Sequence, residues 1–405
     1  MALKLRRVLL ALLALIVLAV VCAGAFRTQI VRVYHVIHLF DRETIVQNFR
    51  SMDSMFRKST VRRPAEAYRF ERAPAELPRT YEYRGETRDI ERFLDETWTT
   101  GLIVVRDGTI VQERYFRGNT AESRTISWSL AKSFISALVG IAVAEGRIRD
   151  IGDPVTDYVP ALKGSGYDGV AIRDVLNMSS GIRFNENYAD FWSDINRLGR
   201  AIAFGSPLDD FVASLQRERP PHTCRHYISM DTQVLGMLVR AATGQSLTAY
   251  LESRIWQKIG MESDAYWLID RNDVELAFGG LNATLRDYAR FGQLYLNGGS
   301  WNGTQVVPAE WVRVSTRHSA PERCPGPRPS KILGYGYQWW VPPGDRGDYL
   351  GLGLYNQAIY VDPRRRIVIA KSSAYPGRDA NERDLESIAV FQAIASHLGG
   401  QAAPR

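Results

Sequence analysis

Apolar and polar positions divide the chain into stretches of different period. Val8–Phe26 is uncharged and mostly apolar, behind a basic leader of Lys4, Arg6 and Arg7. Periodicity then fades, and Arg57–Arg84 is rich in Arg, Glu and Pro. That predicts a connector lying on the surface of the domain that begins near Glu86. Ile90, Phe93 and Leu94 recur at helical spacing between Thr87 and Trp98, with Thr87 as the expected N-cap and Asp89 in the first turn. Two apolar runs between Gly101 and Phe116 flank Asp107-Gly108, a dipeptide suited to the positive φ of a tight turn, so a β-hairpin is predicted. From Ser129 to about Arg317 the pattern is mostly helical. Phe134, Ile135, Leu138, Val139, Ile141 and Val143 make one helix apolar nearly all round, which predicts burial. Another helix opens on Thr284-Leu-Arg-Asp287, a capping box with Asp for Glu, and stops at Asn297-Gly298. After Tyr335 short β-type runs return, and Leu385–Leu398 closes the chain as a helix.

This order predicts an α+β fold. An antiparallel sheet is built from both ends of the chain and flanked by terminal helices, with an all-helical region between. The chain divides into three units: residues 1–26 as a membrane anchor or signal segment, 27–85 as the connector, and 86–401 as one large folded domain. At 1.5 Å per residue, the Val8–Phe26 stretch nearly spans a bilayer core of roughly 30 Å. Ala23-Gly24-Ala25 also fits a cleavage site, so an uncleaved anchor and a cleaved signal both stand. Cys22 suggests a lipoprotein, but Val21 before it fits such a site poorly. The basic leader predicts an inside amino end. The expected location is therefore a bacterial inner membrane with the domain on the periplasmic side, or secretion after cleavage. Export would permit Cys224 and Cys324 to pair; two free thiols are the alternative.

Composition narrows the partners. Hydrophobic residues make up 45% and charged residues 23%, which is ordinary for a globular protein. The net charge of +7 comes mostly from Arg, and no dense Arg run interleaved with aromatics occurs, so nucleic acid is not an expected partner. Oligomeric state is not indicated. Trp192, Trp339 and Trp340 are assigned chiefly to core packing, with a pocket wall as the other use.

Candidate chemistry centres on Ile126-Ser-Trp-Ser-Leu-Ala-Lys-Ser-Phe-Ile-Ser136. Ser129 and Lys132 are three apart, which on a helix stacks both side chains on one face. A hydroxyl attacks once a base takes its proton, and a lysine can serve when burial lowers its pKa toward neutrality. The amino end of the helix adds backbone N–H groups and the positive end of its dipole. Tyr227 is one of 19 tyrosines and on its own reads equally as a half-buried structural residue; beside a Lys and a Ser its phenol can pass a proton if the cation lowers its pKa. Gly351-Leu-Gly-Leu-Tyr-Asn-Gln357 lets backbone approach a ligand closely, and an N–H there could join that of Ser129 in an oxyanion hole. His222, Cys224 and His226 are metal-ligand types. Pro220-Pro221 precedes them, no further ligand cluster is visible and H-E-x-x-H is absent, so no metal is expected. A G-x-S-x-G elbow and a P-loop are also absent.

In order and spacing, five segments together resemble the serine β-lactamase and penicillin-binding-protein superfamily. They are Ser129-Leu-Ala-Lys132, Tyr227-Ile-Ser229, Gly279–Gly292, Tyr335-Gly-Tyr-Gln-Trp-Trp340 and Gly353–Pro363. The branch resembled is the class C-like serine hydrolases, with 6-aminohexanoate-dimer hydrolases and related esterases, over roughly residues 87–400. The resemblance implies a β-lactamase/transpeptidase-like fold with the site between sheet and helical region. It implies a serine hydrolase domain over 86–401 that cleaves a small-molecule amide or ester through an acyl-enzyme, with no cofactor. Ser129 is then the nucleophile, Lys132 and Tyr227 are the proton-transfer pair, and Gly353 and Leu354 border the oxyanion hole. Ser229 stands where many members carry Asn, so its hydrogen bond to substrate or to Lys132 is expected to be weaker or rearranged. Gly351-Leu-Gly353 takes the place of a Lys- or His-Thr-Gly triplet. The cation that meets a β-lactam or peptide carboxylate is thus missing, which favours other amides and esters. Asn185-Glu-Asn-Tyr-Ala-Asp190 resembles the segment carrying a substrate-contacting tyrosine, which implies that role for Tyr188. Two rival readings remain: a catalytically silent binding protein on this fold, and a cell-wall D-Ala carboxypeptidase or β-lactamase.

Overall fold

The computed structural model describes residues 2–25, 27–325, 333–377 and 380–400. Its centre is an eight-stranded sheet. From one edge the order is Gly334–Tyr335, Trp340–Val341, Tyr349–Gly353, Gln357–Asp362, Ile367–Ser373, Thr99–Arg106, Thr109–Tyr115 and Glu71–Arg72. All neighbours run antiparallel except the last pair, where Glu71 lies beside Thr109 in parallel. The sheet is thus drawn from both ends of the chain, and the expected antiparallel pattern fails only at that edge. Asp107 and Gly108 both have positive φ, 49° and 80°, as a tight hairpin turn requires.

Both faces of the central strands are covered, which is why they read as continuous apolar runs rather than alternating ones. Leu102, Val104, Ile367 and Ile369 pack on one side against Phe93 and Ile394, from helices Ile90–Glu96 and Ala380–Gly399. Ile103, Val105, Val368 and Ala370 pack on the other against Phe134 and Phe291, from helices Ala131–Ala144 and Leu285–Leu296. Alternation along the strand therefore sorts side chains between two cores. The Thr284 side chain caps its helix by accepting from the Asp287 N–H (3.3 Å), as the capping box predicts.

The first helix after the amino-terminal region begins later than the sequence suggests. Thr87 lies in strand Glu86–Asp89, paired with Thr80–Tyr83. The cap is Asp89, whose carboxylate accepts from the Arg92 N–H (2.8 Å). The stretch expected as connector also supplies strands. Lys58–Val61 pairs with Ala265–Leu268 in a second, four-stranded sheet that continues through Leu281–Thr284 to Arg124–Ile126. These are edge strands, too short and too exposed to show an apolar alternation.

Cys224 and Cys324 are joined as a disulfide, with Cα atoms 4.9 Å apart. Ala2–Ala25 forms one helix, exposed along Lys4–Leu15. The side chains from Ile16 to Phe26, including Cys22 and Ala23-Gly24-Ala25, lie outside the described residues. Among the described residues no helix is long and apolar enough to cross a membrane.

Candidate active site

Ser129 sits in the 3₁₀ turn Trp128–Leu130, which runs directly into helix Ala131–Ala144. Trp128 takes φ 47°, turning the chain sharply between strand Arg124–Ile126 and the helix. A bulky residue in the left-handed region is costly, and such strain is tolerated where geometry is functional. Lys132 follows one turn later. Its Nζ donates to Ser129 Oγ (3.0 Å), Ser229 Oγ (3.3 Å) and the Phe278 carbonyl (2.8 Å). The residue is 1% exposed. Burial pulls the ammonium pKa down to about 7, against the opposing pull of the Glu186 charge. A substantial fraction of the amine is therefore unprotonated at neutral pH, the condition for a general base.

Tyr227 lies two residues before helix Ser229–Thr243. Lys132 Nζ is 5.3 Å from its ring centroid. The ring stacks on Trp340 (5.3 Å) and meets Tyr335 edge-on (6.1 Å). Burial pushes its phenol well above the ordinary tyrosine range, with a hydrogen bond to Ser129 pulling the other way. The expected lowering by the cation does not occur. Tyr227 stays protonated, so it can carry a proton but is not a standing phenolate base.

Ser229 is the first residue of its helix. Its hydroxyl accepts from Lys132 and donates to Glu186 Oε1 (2.5 Å), while its N–H donates to Glu186 Oε2 (2.9 Å). The Tyr188 hydroxyl donates to Glu186 Oε1 (2.9 Å). A buried carboxylate at the amino end of a 15-residue helix is favoured by the helix dipole. Glu186 thus joins Tyr188, Ser229 and Lys132 in one chain of polar contacts. Sequence reasoning passed it over, although it stands inside the segment singled out for Tyr188. Its one signal was a carboxylate two residues before that tyrosine.

Strand Tyr349–Gly353 runs along the Ser129 turn. A Cβ at Gly353 would overlap the Ser127 carbonyl oxygen, and one at Gly351 would sit 2.5 Å from Leu130 Cδ1. At Gly353, where the obstacle is backbone, only glycine permits that approach. Leu354 follows, and the chain then bends through Tyr355 (φ 61°) and Asn356 (φ 71°). Asn356 is fixed by Lys371 Nζ on its Oδ1 (2.6 Å) and by its own Nδ2 donating to Ser387 Oγ (2.9 Å) and Asp384 Oδ1 (3.1 Å). Two of the three metal-ligand types are otherwise engaged: Cys224 is in the disulfide and His222 Nδ1 lies 2.9 Å from Asp174 Oδ1. Trp339 is in the core and Trp340 lies under Tyr227, but Trp192 is 80% exposed and packs in no core.

A hydroxyl, an amine tuned to neutrality and a phenol, set where a sheet meets a helical region, define hydrolases that work through a serine ester. Residues 87–392 match the model of the Beta-lactamase family, and the chain belongs to that family. It is 33% identical over 301 residues to the 6-aminohexanoate-dimer hydrolase of Paenarthrobacter ureafaciens, spanning 72% of this chain and 76% of that one. A solved Bacillus anthracis protein, provisionally named 6-aminohexanoate-dimer hydrolase, superposes with a TM-score of 0.80 at 27% identity, over 89% of this chain and 96% of that one. The penicillin binding protein from Bacillus halodurans shares the fold, with a TM-score of 0.59 at 16% identity over 74% and 99% of the two chains. The chain is a serine hydrolase of this β-lactamase-related type.

Proposed function

We propose that Ser129 opens a small amide or ester, with the 6-aminohexanoate amide of the Paenarthrobacter relative's name as the nearest substrate chemistry. Lys132, unprotonated, takes the Ser129 proton as Oγ attacks the carbonyl. The N–H groups of Ser129 and Leu354 hold the oxyanion. Tyr227 gives its proton to the departing amine or alkoxide and is refilled from Lys132. Water then cleaves the serine ester and releases the acid. The observation that carries this reading is the contact of a fully buried Lys132 with Ser129 Oγ at 3.0 Å. Tyr188 borders the substrate, held through Glu186. The Gly351-Leu-Gly353 triplet offers no cation to a β-lactam carboxylate, so nitrocefin is expected to be a poor substrate beside short esters and aminohexanoate oligomers. Ser129→Ala should abolish both fluorophosphonate labelling and p-nitrophenyl ester turnover with an unchanged circular dichroism spectrum. Undiminished labelling would remove Ser129 from the reaction.

We infer further that Val8–Phe26 holds the chain in a membrane with the hydrolase domain on its extracytoplasmic side. The disulfide supports this location, since such bonds persist in oxidising compartments. Protease added to intact spheroplasts should degrade the domain; protection would place it inside.

A further inference from the structure

Among the described residues, the exposed large apolar side chains are not scattered. They fall in two stretches, residues 5–40 and residues 188–204. Beyond the first helix, the first stretch contributes Ile30, Val31, Tyr34, Ile37 and Phe40. The second contributes Phe191, Trp192 and Phe204, together with Tyr188. The two stretches touch, because helix Arg27–His38 packs on helix Asp194–Ala203. Arg32, Val33 and Val36 are half-buried, while Ile30, Tyr34 and Ile37, at spacings of four and three, are exposed. Both stretches also end at the catalytic centre. Tyr188 reaches Glu186, and the Phe40 ring stacks on Tyr355 (5.2 Å) and lies 5.7 Å from Trp128. Tyr355 adjoins Leu354, and Trp128 adjoins Ser129.

We propose that this face docks on a lipid bilayer, with the active-site rim at the headgroup level. Resting on the reading of Ser129 above, the substrate class is then narrowed to amphiphilic esters or amides taken from the membrane interface.

Exposed apolar side chains gathered on two touching elements mark an interaction surface. Three features select lipid as its occupant. The first is continuity: the Leu- and Val-rich helix Ala2–Ala25 leads into the face one residue before helix Arg27–His38 begins. The second is residue type: tyrosine and tryptophan beside arginine are what the lipid–water boundary accommodates. Arg200 lies over both Phe191 (4.3 Å) and Trp192 (5.7 Å), so cation and ring are presented together. The third is charge. Residues 27–40 and 188–204 carry Arg27, Arg32, Arg197 and Arg200 against Asp190 and Asp194, a balance suited to anionic headgroups.

The test uses the full chain in vesicles of phosphatidylglycerol and phosphatidylcholine. Lipids brominated near the headgroup should quench tryptophan emission, and the quenched component should vanish in Trp192→Phe. The double variant Ile37→Asp with Phe204→Asp keeps the first helix and the catalytic groups. It should turn over water-soluble p-nitrophenyl acetate as wild type does, but a long-chain p-nitrophenyl ester dissolved in the vesicles about tenfold or more slowly, since two apolar anchors are lost. Absence of Trp192-dependent quenching, or equal effects on both esters, would overturn the docking. Disulfide-linked dimers of Ile37→Cys forming in the vesicles would assign the face to a second copy and overturn it also. Quenching without hydrolysis of either ester by wild type would leave the docking standing and remove the reading of Ser129.

Discussion

Lys132 and Glu186 set the pH response between them. Burial lowers the Lys132 pKa to about 7 and the Glu186 charge raises it. In the proposed mechanism the reactive form is the unprotonated amine, so kcat/KM should fall about tenfold per pH unit on the acid side of a limb centred near 7. In Glu186→Gln the raising charge is gone while burial remains. The limb should move to lower pH, and Glu186→Asp should restore it by keeping the charge. A pH–rate profile that does not move in Glu186→Gln would detach Glu186 from Lys132. Much of this constellation was legible in the sequence. Ser129 and Lys132 share one helical turn, so local spacing was enough for that pair, whereas Tyr227, one of 19 tyrosines, and Ser229 stood out only through the family resemblance. Glu186 was not legible in the same way. It meets Ser229 across 43 residues from an irregular segment, and no periodicity connects them.

At the scale of elements, the proposed oxyanion hole depends on how closely strand Tyr349–Gly353 approaches the Ser129 turn. Gly353 has an ordinary extended φ of −122°, so conformational freedom does not demand glycine there. Space demands it, because a methyl group would overlap the Ser127 carbonyl oxygen. Gly353→Ala should push the Leu354 amide away from the developing oxyanion and cost about 100–1000-fold in kcat, the loss typical of one oxyanion donor. KM for a short ester should change little, and fluorophosphonate labelling should slow in parallel with kcat. Unaltered kcat would show that the Leu354 N–H is not a donor. Turn chemistry made the Asp107-Gly108 hairpin and the Thr284 cap readable, since each is decided by neighbouring residues. The edge strands Lys58–Val61 and Glu71–Arg72 were hidden because their pairing partners lie far along the chain and their outer faces are polar. The same competition moved the helix cap from Thr87 to Asp89: strand pairing with Thr80–Tyr83 claimed Thr87 first.

The whole molecule closes on itself through long-range links, and these position the phenol. Strand Thr99–Arg106 finds its neighbour Ile367–Ser373 only after the entire helical region has been traversed. Within that region, the segment bearing Tyr227 is tied to residues a hundred positions later by Cys224–Cys324. Backbone bonds reinforce the link, with Arg225 N–H donating to Glu322 O (2.8 Å) and Cys324 N–H donating to Arg225 O (2.9 Å). Sequence alone left the pairing of these cysteines open, because it carries no Cα distance. Replacing both by Ser, which avoids leaving an unpaired thiol, should lower the unfolding free energy by about 2–5 kcal/mol in urea titration. The backbone bonds should preserve the fold, so the circular dichroism of the variant should match wild type. Tyr227, three residues from the lost bond, should be held less firmly against Ser129. A fall in kcat for amides that exceeds the fall for activated esters is then expected, because in the proposed mechanism an amine leaving group needs a proton from Tyr227 and p-nitrophenolate does not. Equal losses on both substrates would assign the disulfide to stability alone.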